Sequence, residues 1–388
     1  MKLLRKYKKD IINLGERNKE LEGIYSSNYS PDIINKYIHD DAFTTKIESY
    51  VKRYSMYQNA YHNRFQKLFG TLKISIPNST KFSLLDIGTG PGTSTIELLN
   101  LFPNAHMVSS DLSLEFLVHL KKDLVDNKLD SRCDLLQLNA EELDFDEAQF
   151  DFVFGVSVLH HLYNPEKTIE YCAKILKKNG HAIFYEPMKK GYELLYRAYT
   201  RILDDEKSIE LIKEQIKFFK DFIEDYELRI ITDKSNPVFK KLDDKWFFEN
   251  TWFEKLAEKH GLVLNIASID SNFSLVEKLK IEWSTKFSIS NSPLKSNNPD
   301  ENLEKIWNER EDLQQVFPEI KNDEFDGMKQ WARDFGWNED PRLEDLIPEG
   351  KIPLYEINFP DWVWDIIQKF ENSSNNEDMF EGCIVLKK

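Results

Sequence analysis

The run Asp86-Ile87-Gly88-Thr89-Gly90-Pro91-Gly92 sets three glycines at alternate positions behind a carboxylate. Glycine turns the backbone where other residues would clash, and it lets a ligand come close to the chain. A helix beginning after Gly92 adds unpaired N–H groups at the same place, with Thr93, Ser94 and Thr95 as hydroxyl caps. About 20 residues beyond the glycines, Asp111 ends the next apolar segment, where a carboxylate can take both hydroxyls of a ribose. These residues describe a nucleoside-binding crevice. A dinucleotide would need a third glycine at G-x-G-x-x-G to seat its pyrophosphate, and Thr93 stands there instead. No lysine follows the glycines, which sets the loop apart from a phosphate-cradling P-loop. Taken alone, the same loop also fits a plain strand-to-helix turn.

The elements that must hold these residues follow from the apolar pattern. Phe82, Leu84, Leu85 and Ile87 read as a buried parallel strand, Ile96, Leu98 and Leu99 as the inner face of the helix after it, and Ala105 to Val108 as a second strand. Asp134 to Leu138, Phe150 to Phe154 and His181 to Tyr185 add three more strands. A helix opened by Pro165 and stopped at Asn179-Gly180 lies between the last two. This order predicts an α/β, Rossmann-like, doubly wound sheet with ligands at the carboxyl edge.

A chain of 388 residues with 41% hydrophobic content can bury one large core and a second unit. Its net charge of -15 argues against a surface built to wrap nucleic acid. Cys133, Cys172 and Cys383 are far apart in apolar contexts, read as reduced core thiols, and show no ligand spacing; no metal is expected. Met1 to Lys9 is basic, but no apolar stretch of signal-peptide type follows, and no run approaches the ~18 apolar residues of a membrane span. A cytoplasmic location is expected.

Five motifs then occur in a familiar order: Asp86 to Gly92, Asp111, Asn139-Ala140-Glu141, Val158-Leu159-His160-His161-Leu162 with Asn164-Pro165-Glu166, and Leu176 to Gly180 with Glu186-Pro187. The chain resembles class I S-adenosylmethionine-dependent methyltransferases, in their type 11, UbiE-like small-molecule branch. The resemblance covers Phe82 to Pro187, resumes at Phe247 to Ile269, and ends in Gly382 to Lys388. It implies a seven-stranded sheet with an antiparallel last strand, and S-adenosyl-L-methionine as cofactor. It also implies that Asp86, Gly88, Gly90 and Gly92 form the loop under the methionine moiety, and that Asp111, with Leu112 beside it, binds the ribose. Asn139, Ala140 and Glu141 would form the adenine turn, and Gly155 and Val156 would support the methionine end. The family usually has aspartate where Asn139 stands; the amide oxygen still accepts a hydrogen bond, but without charge.

A sulfonium methyl is already activated, so catalysis rests on holding the acceptor in line and excluding water. A hydroxyl acceptor must also lose a proton, for which His160, His161 and Glu186 are the candidate bases. The histidines equally suit a role in packing their loop, and an amine or carbon acceptor needs no protein base.

The expected organisation is an N-terminal helical cap (1–70), a core (71–188), a helical lid insertion (189–245), more core (246–270), an accessory insertion (271–378) and the last strand (379–388). Tyr50, Tyr54, Tyr57 and Tyr61 recur at helical spacing in the cap, and Tyr192, Arg197, Tyr199 and Arg201 are candidates to reach substrate from the lid. Leu303 to Leu346, with Trp307, Trp331 and Trp337, loosely resembles a spacer in bacterial proteins of surface-polysaccharide assembly. That favours a saccharide or glycan-precursor hydroxyl as the small-molecule acceptor, hence O-methylation in carbohydrate biosynthesis. The rivals are an RNA-modifying enzyme, N- or C-methylation of a natural-product or lipid-like acceptor, and a non-catalytic nucleoside-binding module. A homo-oligomer stays open.

Overall fold

Six consecutive buried residues, Phe82–Ile87, form the strand around which the sheet is laid. Leu85 and Ile87 pack into the apolar layer on one face, and Phe82 and Leu84 into the layer on the other, as the two-residue period of a strand requires. A strand covered on both faces reads as a continuous apolar run, which is why this one is visible in the sequence.

The computed structural model describes residues 3–4, 7–16, 18–27, 29–30, 33–34, 58–73, 81–230, 234–235, 237–242, 244–267, 274–286, 288–290, 351–353, 359–374 and 379–388. The elements up to the middle of the sheet are β1 (Ile12–Asn13), β2 (Ile24–Ser26), α1 (Gln58–Thr71), β3 (Phe82–Ile87), α2 (Thr93–Leu101), β4 (Ala105–Asp111), α3 (Leu114–Asp126) and β5 (Cys133–Gln137). There follow β6 (Phe150–Val156), α4 (Pro165–Ile175), β7 (Leu176–Pro187), α5 (Lys189–Leu203), α6 (Lys213–Ile230), α7 (Asn250–His260) and β8 (Val263–Ala267). The last are α8 (Leu275–Lys286), β9 (Ser288–Ser290), β10 (Lys351–Pro353), α9 (Asp361–Ser373) and β11 (Glu381–Lys387).

The main sheet runs β1-β2-β5-β4-β3-β6-β7-β11-β8, with β11 antiparallel to both neighbours. The α/β class, the parallel centre and the antiparallel last strand agree with the sequence reading. The strand count does not: nine strands replace the expected seven. The two extra strands come from the N-terminal segment expected to be helical. Ile24 pairs with Leu135, and Ser26 Oγ donates to Gln137 Oε1 at 2.7 Å, so β2 extends the sheet beyond β5, with β1 outside it. Elements of two and three residues are too short to show a period. Tyr50, Tyr54 and Tyr57 lie outside the described residues, as does Leu303 to Leu346, while Tyr61 belongs to α1.

A second difference lies after α4. The helix ends at Ile175, and Leu176 to Gly180 already belong to β7. Asn179 adopts a left-handed φ of 64°, and its N–H donates to the Lys388 carbonyl at 2.8 Å. Pairing with the C-terminal residue captures these residues for the sheet. Cys133, Cys172 and Cys383 are buried free thiols, as expected.

The chain divides into two units: Met1–Tyr196 with Glu224–Asn272 and Asn375–Lys388, and Arg197–Ile223 with Phe273–Ser374. Part of the expected lid therefore belongs with the accessory insertion. Within that second unit, Tyr199, Phe218, Phe219, Trp283 and Phe359 make an aromatic core. Tyr199 is fully buried there, with its hydroxyl donating to Glu282 at 2.8 Å, and Arg201 pairs with Asp205. An aromatic at helical spacing has become core, the commoner outcome for large rings.

Candidate active site

The glycine loop lies at the carboxyl end of β3. Gly88, Gly90 and Gly92 all have positive φ, at 62°, 51° and 92°. A Cβ on Gly88 would lie 2.5 Å from Val158 Cγ2, and one on Gly92 would lie 2.2 Å from Leu120 Cδ1, so both positions require glycine twice over. Above Gly90, in contrast, no heavy atom of the described residues comes within 4 Å of an added Cβ. The middle of the loop faces open space while its ends are walled in.

Asp86 holds this loop from below. It is fully buried, and its Oδ2 accepts the hydroxyls of Thr95 at 2.6 Å, Ser94 at 2.8 Å and Thr89 at 3.1 Å. Burial raises its carboxyl above the usual range, opposed by the three hydroxyls. Ser94 and Thr95, expected as helix caps, thus serve Asp86 instead; the cap position is Gly92, without a side-chain bond. Asp86 Oδ1 is buried with no hydrogen-bond partner among the described residues.

Asp111 ends β4 beside the open middle of the loop. Its Oδ2 accepts the Gly90 N–H at 2.8 Å and its Oδ1 accepts the Ser113 N–H at 2.8 Å. Burial pushes its carboxyl up to about 6, against the pull of the Ser113 and Gly90 N–H groups and with help from the nearby charge of Asp86. Each carboxylate oxygen has a further lone pair for an incoming hydroxyl. Leu112 fixes the turn, its carbonyl accepting Gln137 Nε2 at 3.0 Å.

The end of β5 contributes Asn139, Ala140 and Glu141. Asn139 Oδ1 accepts the Glu141 N–H at 3.0 Å, and the Asn139 N–H donates to the Tyr29 hydroxyl at 3.2 Å. The Glu141 carboxylate reaches the segment that joins β6 to α4. Its Oε1 accepts the N–H groups of Tyr163 at 2.7 Å and Asn164 at 2.9 Å, which fixes the chain entering α4. Gly155 and Val156 end β6 beside β3, with Gly155 paired to Ile87 and packed so closely on Phe184 that a Cβ would fall 2.7 Å from the ring.

The histidines occupy the loop after β6. Glu186, at the end of β7 and fully buried, clamps that loop. It accepts the N–H groups of Val158 at 3.0 Å, Leu159 at 2.7 Å and His160 at 3.2 Å. Its Oε2 also meets His160 Nδ1 at 2.7 Å. The other side of the ring faces Asp244, with His160 Nε2 3.5 Å from Oδ1; His161 Nδ1 is 3.6 Å from the same oxygen. Burial works against a charge on His160, but Glu186 and Asp244 outweigh it and raise the imidazole to about 10. The Asp244 side chain is half-exposed; its partial burial disfavours its charge, yet His160, His161 and Arg229 hold its carboxyl well below the usual range. Arg229 Nη1 reaches Asp244 Oδ2 at 3.2 Å and also pairs with Asp225.

The structure thus gathers two clusters at the carboxyl edge: the glycine loop with Asp86 and Asp111, and His160, His161 and Glu186 with Asp244 and Arg229. The last two were not foreseen. Asp244 sits in the run Asp243-Asp244-Lys245, which reads as a solvated charge patch, and Arg229 near the end of a charge-rich helix. Of the expected lid residues, Tyr192 stacks on Phe247 at 4.1 Å between ring centroids.

A parallel sheet whose first turn carries three left-handed glycines, and whose second strand ends in a carboxylate bonded to that turn, defines a nucleoside-binding domain of the Rossmann-like class. Residues 85–184 match the family model described as a methyltransferase domain. These residues form a methyltransferase domain similar to the class I S-adenosylmethionine-dependent enzymes of the UbiE-like type. The chain is 24% identical to the ubiquinone/menaquinone biosynthesis C-methyltransferase UbiE of Vibrio parahaemolyticus, over 36% of this chain and 58% of that one. It is 27% identical to the demethylmenaquinone methyltransferase of Clavibacter sepedonicus, over 36% and 59% of the two chains. The chain therefore spans less than two thirds of either relative. A solved structure of Haemonchus contortus phosphoethanolamine N-methyltransferase 2 in complex with S-adenosyl-L-methionine aligns over 83% of this chain and 51% of its own, at 14% identity and a TM-score of 0.37. Among the described residues, no helix is long and apolar enough to cross a membrane.

Proposed function

We propose that this protein transfers the methyl group of S-adenosylmethionine to a small-molecule acceptor, at an electron-rich carbon of a phenolic or enolic ring. The observation that carries the reading is the 2.8 Å bond from the Gly90 N–H to Asp111. It ties a carboxylate with spare acceptor capacity to a loop that is open above Gly90 and closed at both ends. That arrangement fits a ribose diol and the sulfonium nucleoside attached to it. The bound cofactor supplies an activated methyl group, and the chain supplies binding, orientation and exclusion of water.

On this reading Asp86 shapes the loop from beneath, Gly88 to Gly92 and Asp111 bind the cofactor, and Asn139 and Ala140 face its base. Glu141 positions the loop at Tyr163 and Asn164. His160 and Glu186 are positioning residues: the imidazole is hydrogen-bonded to Glu186 through Nδ1 and paired with Asp244 on its other side, and the Glu186 carboxylate is engaged by three N–H groups and that ring. Neither has capacity left to take a proton from an acceptor. His161, about a third exposed, is the member of the group that can reach one.

Carbon is favoured over a sugar hydroxyl because the Vibrio relative is named for C-methylation in quinone biosynthesis. The saccharide reading rested on Leu303 to Leu346, outside the described residues, and nothing in the relatives' names supports it. The test is incubation with methyl-labelled S-adenosylmethionine and a panel of phenols, quinol precursors and saccharides, with products read by mass spectrometry. Label on a ring carbon is expected. Label on saccharide oxygen, or on none of the panel, overturns the proposal.

A further inference from the structure

The cluster beyond the glycine loop has the donor set of a metal centre, although no metal was expected from the cysteine spacing. His160 Nε2, His161 Nδ1 and Asp244 Oδ1 lie within 4.8 Å of one another. The two nitrogen-to-oxygen distances are 3.5 and 3.6 Å. A tetrahedral centre with bonds of about 2.1 Å separates its ligand atoms by roughly 3.4 Å. The separations to Asp244 already approach that value without a cation to draw the groups in.

We propose that His160, His161 and Asp244 bind a divalent transition-metal ion of the zinc class, leaving a coordination position open. Two imidazoles with one carboxylate favour zinc, cobalt, iron or manganese over magnesium or calcium, which prefer all-oxygen sites. Three protein ligands are the number at which a zinc site keeps a position for water or substrate.

Two of the ligands are oriented from behind, as metal ligands commonly are. His160 turns its Nδ1 to buried Glu186 at 2.7 Å, which directs Nε2 toward the site. Asp244 gives its Oδ2 to Arg229 at 3.2 Å, which leaves Oδ1 for the metal. Glu186 is itself fixed by three backbone N–H groups, so the ring behind the ligand atom cannot swing away.

The site lies in the loop after β6, near the ends of β3 and β7. If the proposed methyl transfer is accepted, the open position suits an acidic oxygen of the acceptor. A phenol or enol bound there would lose its proton more readily, and the resulting anion has a more nucleophilic neighbouring carbon than the neutral form. That role rests on the functional reading; the metal site does not.

The test therefore uses binding rather than turnover. Full-length protein stripped with a chelator is titrated with Co²⁺, followed by its visible absorption, and with Zn²⁺ by calorimetry. One ion per chain is expected, with the intense visible bands of four- or five-coordinate cobalt. His161→Gln and Asp244→Asn should each weaken binding at least tenfold, with circular dichroism unchanged. Should Asp244→Asn fail to fold, His161→Gln decides alone, since that side chain is a third exposed. No cobalt bands in the wild type, or an unchanged affinity in His161→Gln, overturns the proposal. Methyl transfer that survives complete metal removal would overturn only the role given to the open position.

Discussion

Around Asp111 the chain presents backbone N–H groups and hydroxyls from one stretch, residues 86 to 113. Around His160 it presents ionised side chains from separate stretches: Glu186, Arg229 and Asp244. The first cluster is stiff by conformation, because its glycines all take left-handed backbone angles and a side chain on Gly88 or Gly92 would clash. The second is stiff by charge, because every buried ion in it has an opposite neighbour. Damage should therefore differ. Removing Asp111 should cost cofactor affinity, and removing Glu186 should cost stability.

The largest effect is expected in the charged cluster. Glu186→Ala leaves three N–H groups and a buried imidazolium without their acceptor, and should destabilise the fold by about 3–5 kcal/mol. Denaturant unfolding followed by fluorescence would measure it; a loss under ~1 kcal/mol would mean the clamp is not needed.

Next comes Asp111→Ala. If Asp111 binds the ribose as proposed, the substitution removes one or two charge-assisted hydrogen bonds worth about 1.5–3 kcal/mol each, so cofactor affinity should drop at least tenfold in calorimetry with little change in melting temperature. A protein that unfolds instead would blur the contrast between the clusters.

The pH dependence sharpens the same point. The Asp111 carboxyl is raised from 3.8 to about 6. Between those values the folded chain holds more protons than the unfolded one, so this group's contribution to stability declines as pH rises through that window. Cofactor binding runs the opposite way, since a ribose diol needs the carboxylate. Affinity should therefore weaken by about tenfold between pH 7 and pH 5. The dependence should vanish in Asp111→Asn.

The smallest effect is expected at His161, a third exposed at the edge of the charged cluster. His161→Ala should change stability by no more than ~0.5 kcal/mol, as for most exposed positions. A larger loss would show the cluster to be more tightly coupled than its exposure suggests.

The same division explains what could be read from the sequence. Asp86 to Gly92 and Asp111 were legible because local backbone geometry fixes their residue types, and β3 to β7 because strands buried on both faces carry apolar residues on both. Asp244 and Arg229 were not, since nothing local distinguishes an acid that meets His160 from one that meets water. The short strands Ile12–Asn13 and Ile24–Ser26 escaped for another reason. Two or three residues carry no period, and only pairing, of β2 with β5 and of β1 with β2, makes them strands. Tyr199 illustrates the converse case: its spacing was plain, but whether it faced ligand or core depended on Glu282, 83 positions away.

The account depends most directly on whether the crevice above Gly90 takes a sulfonium nucleoside. Calorimetric titration of the wild-type chain with S-adenosylmethionine should give one site per chain, at least tenfold tighter than in Asp111→Ala. Absence of binding in the wild type, or equal affinity in the two proteins, would contradict it.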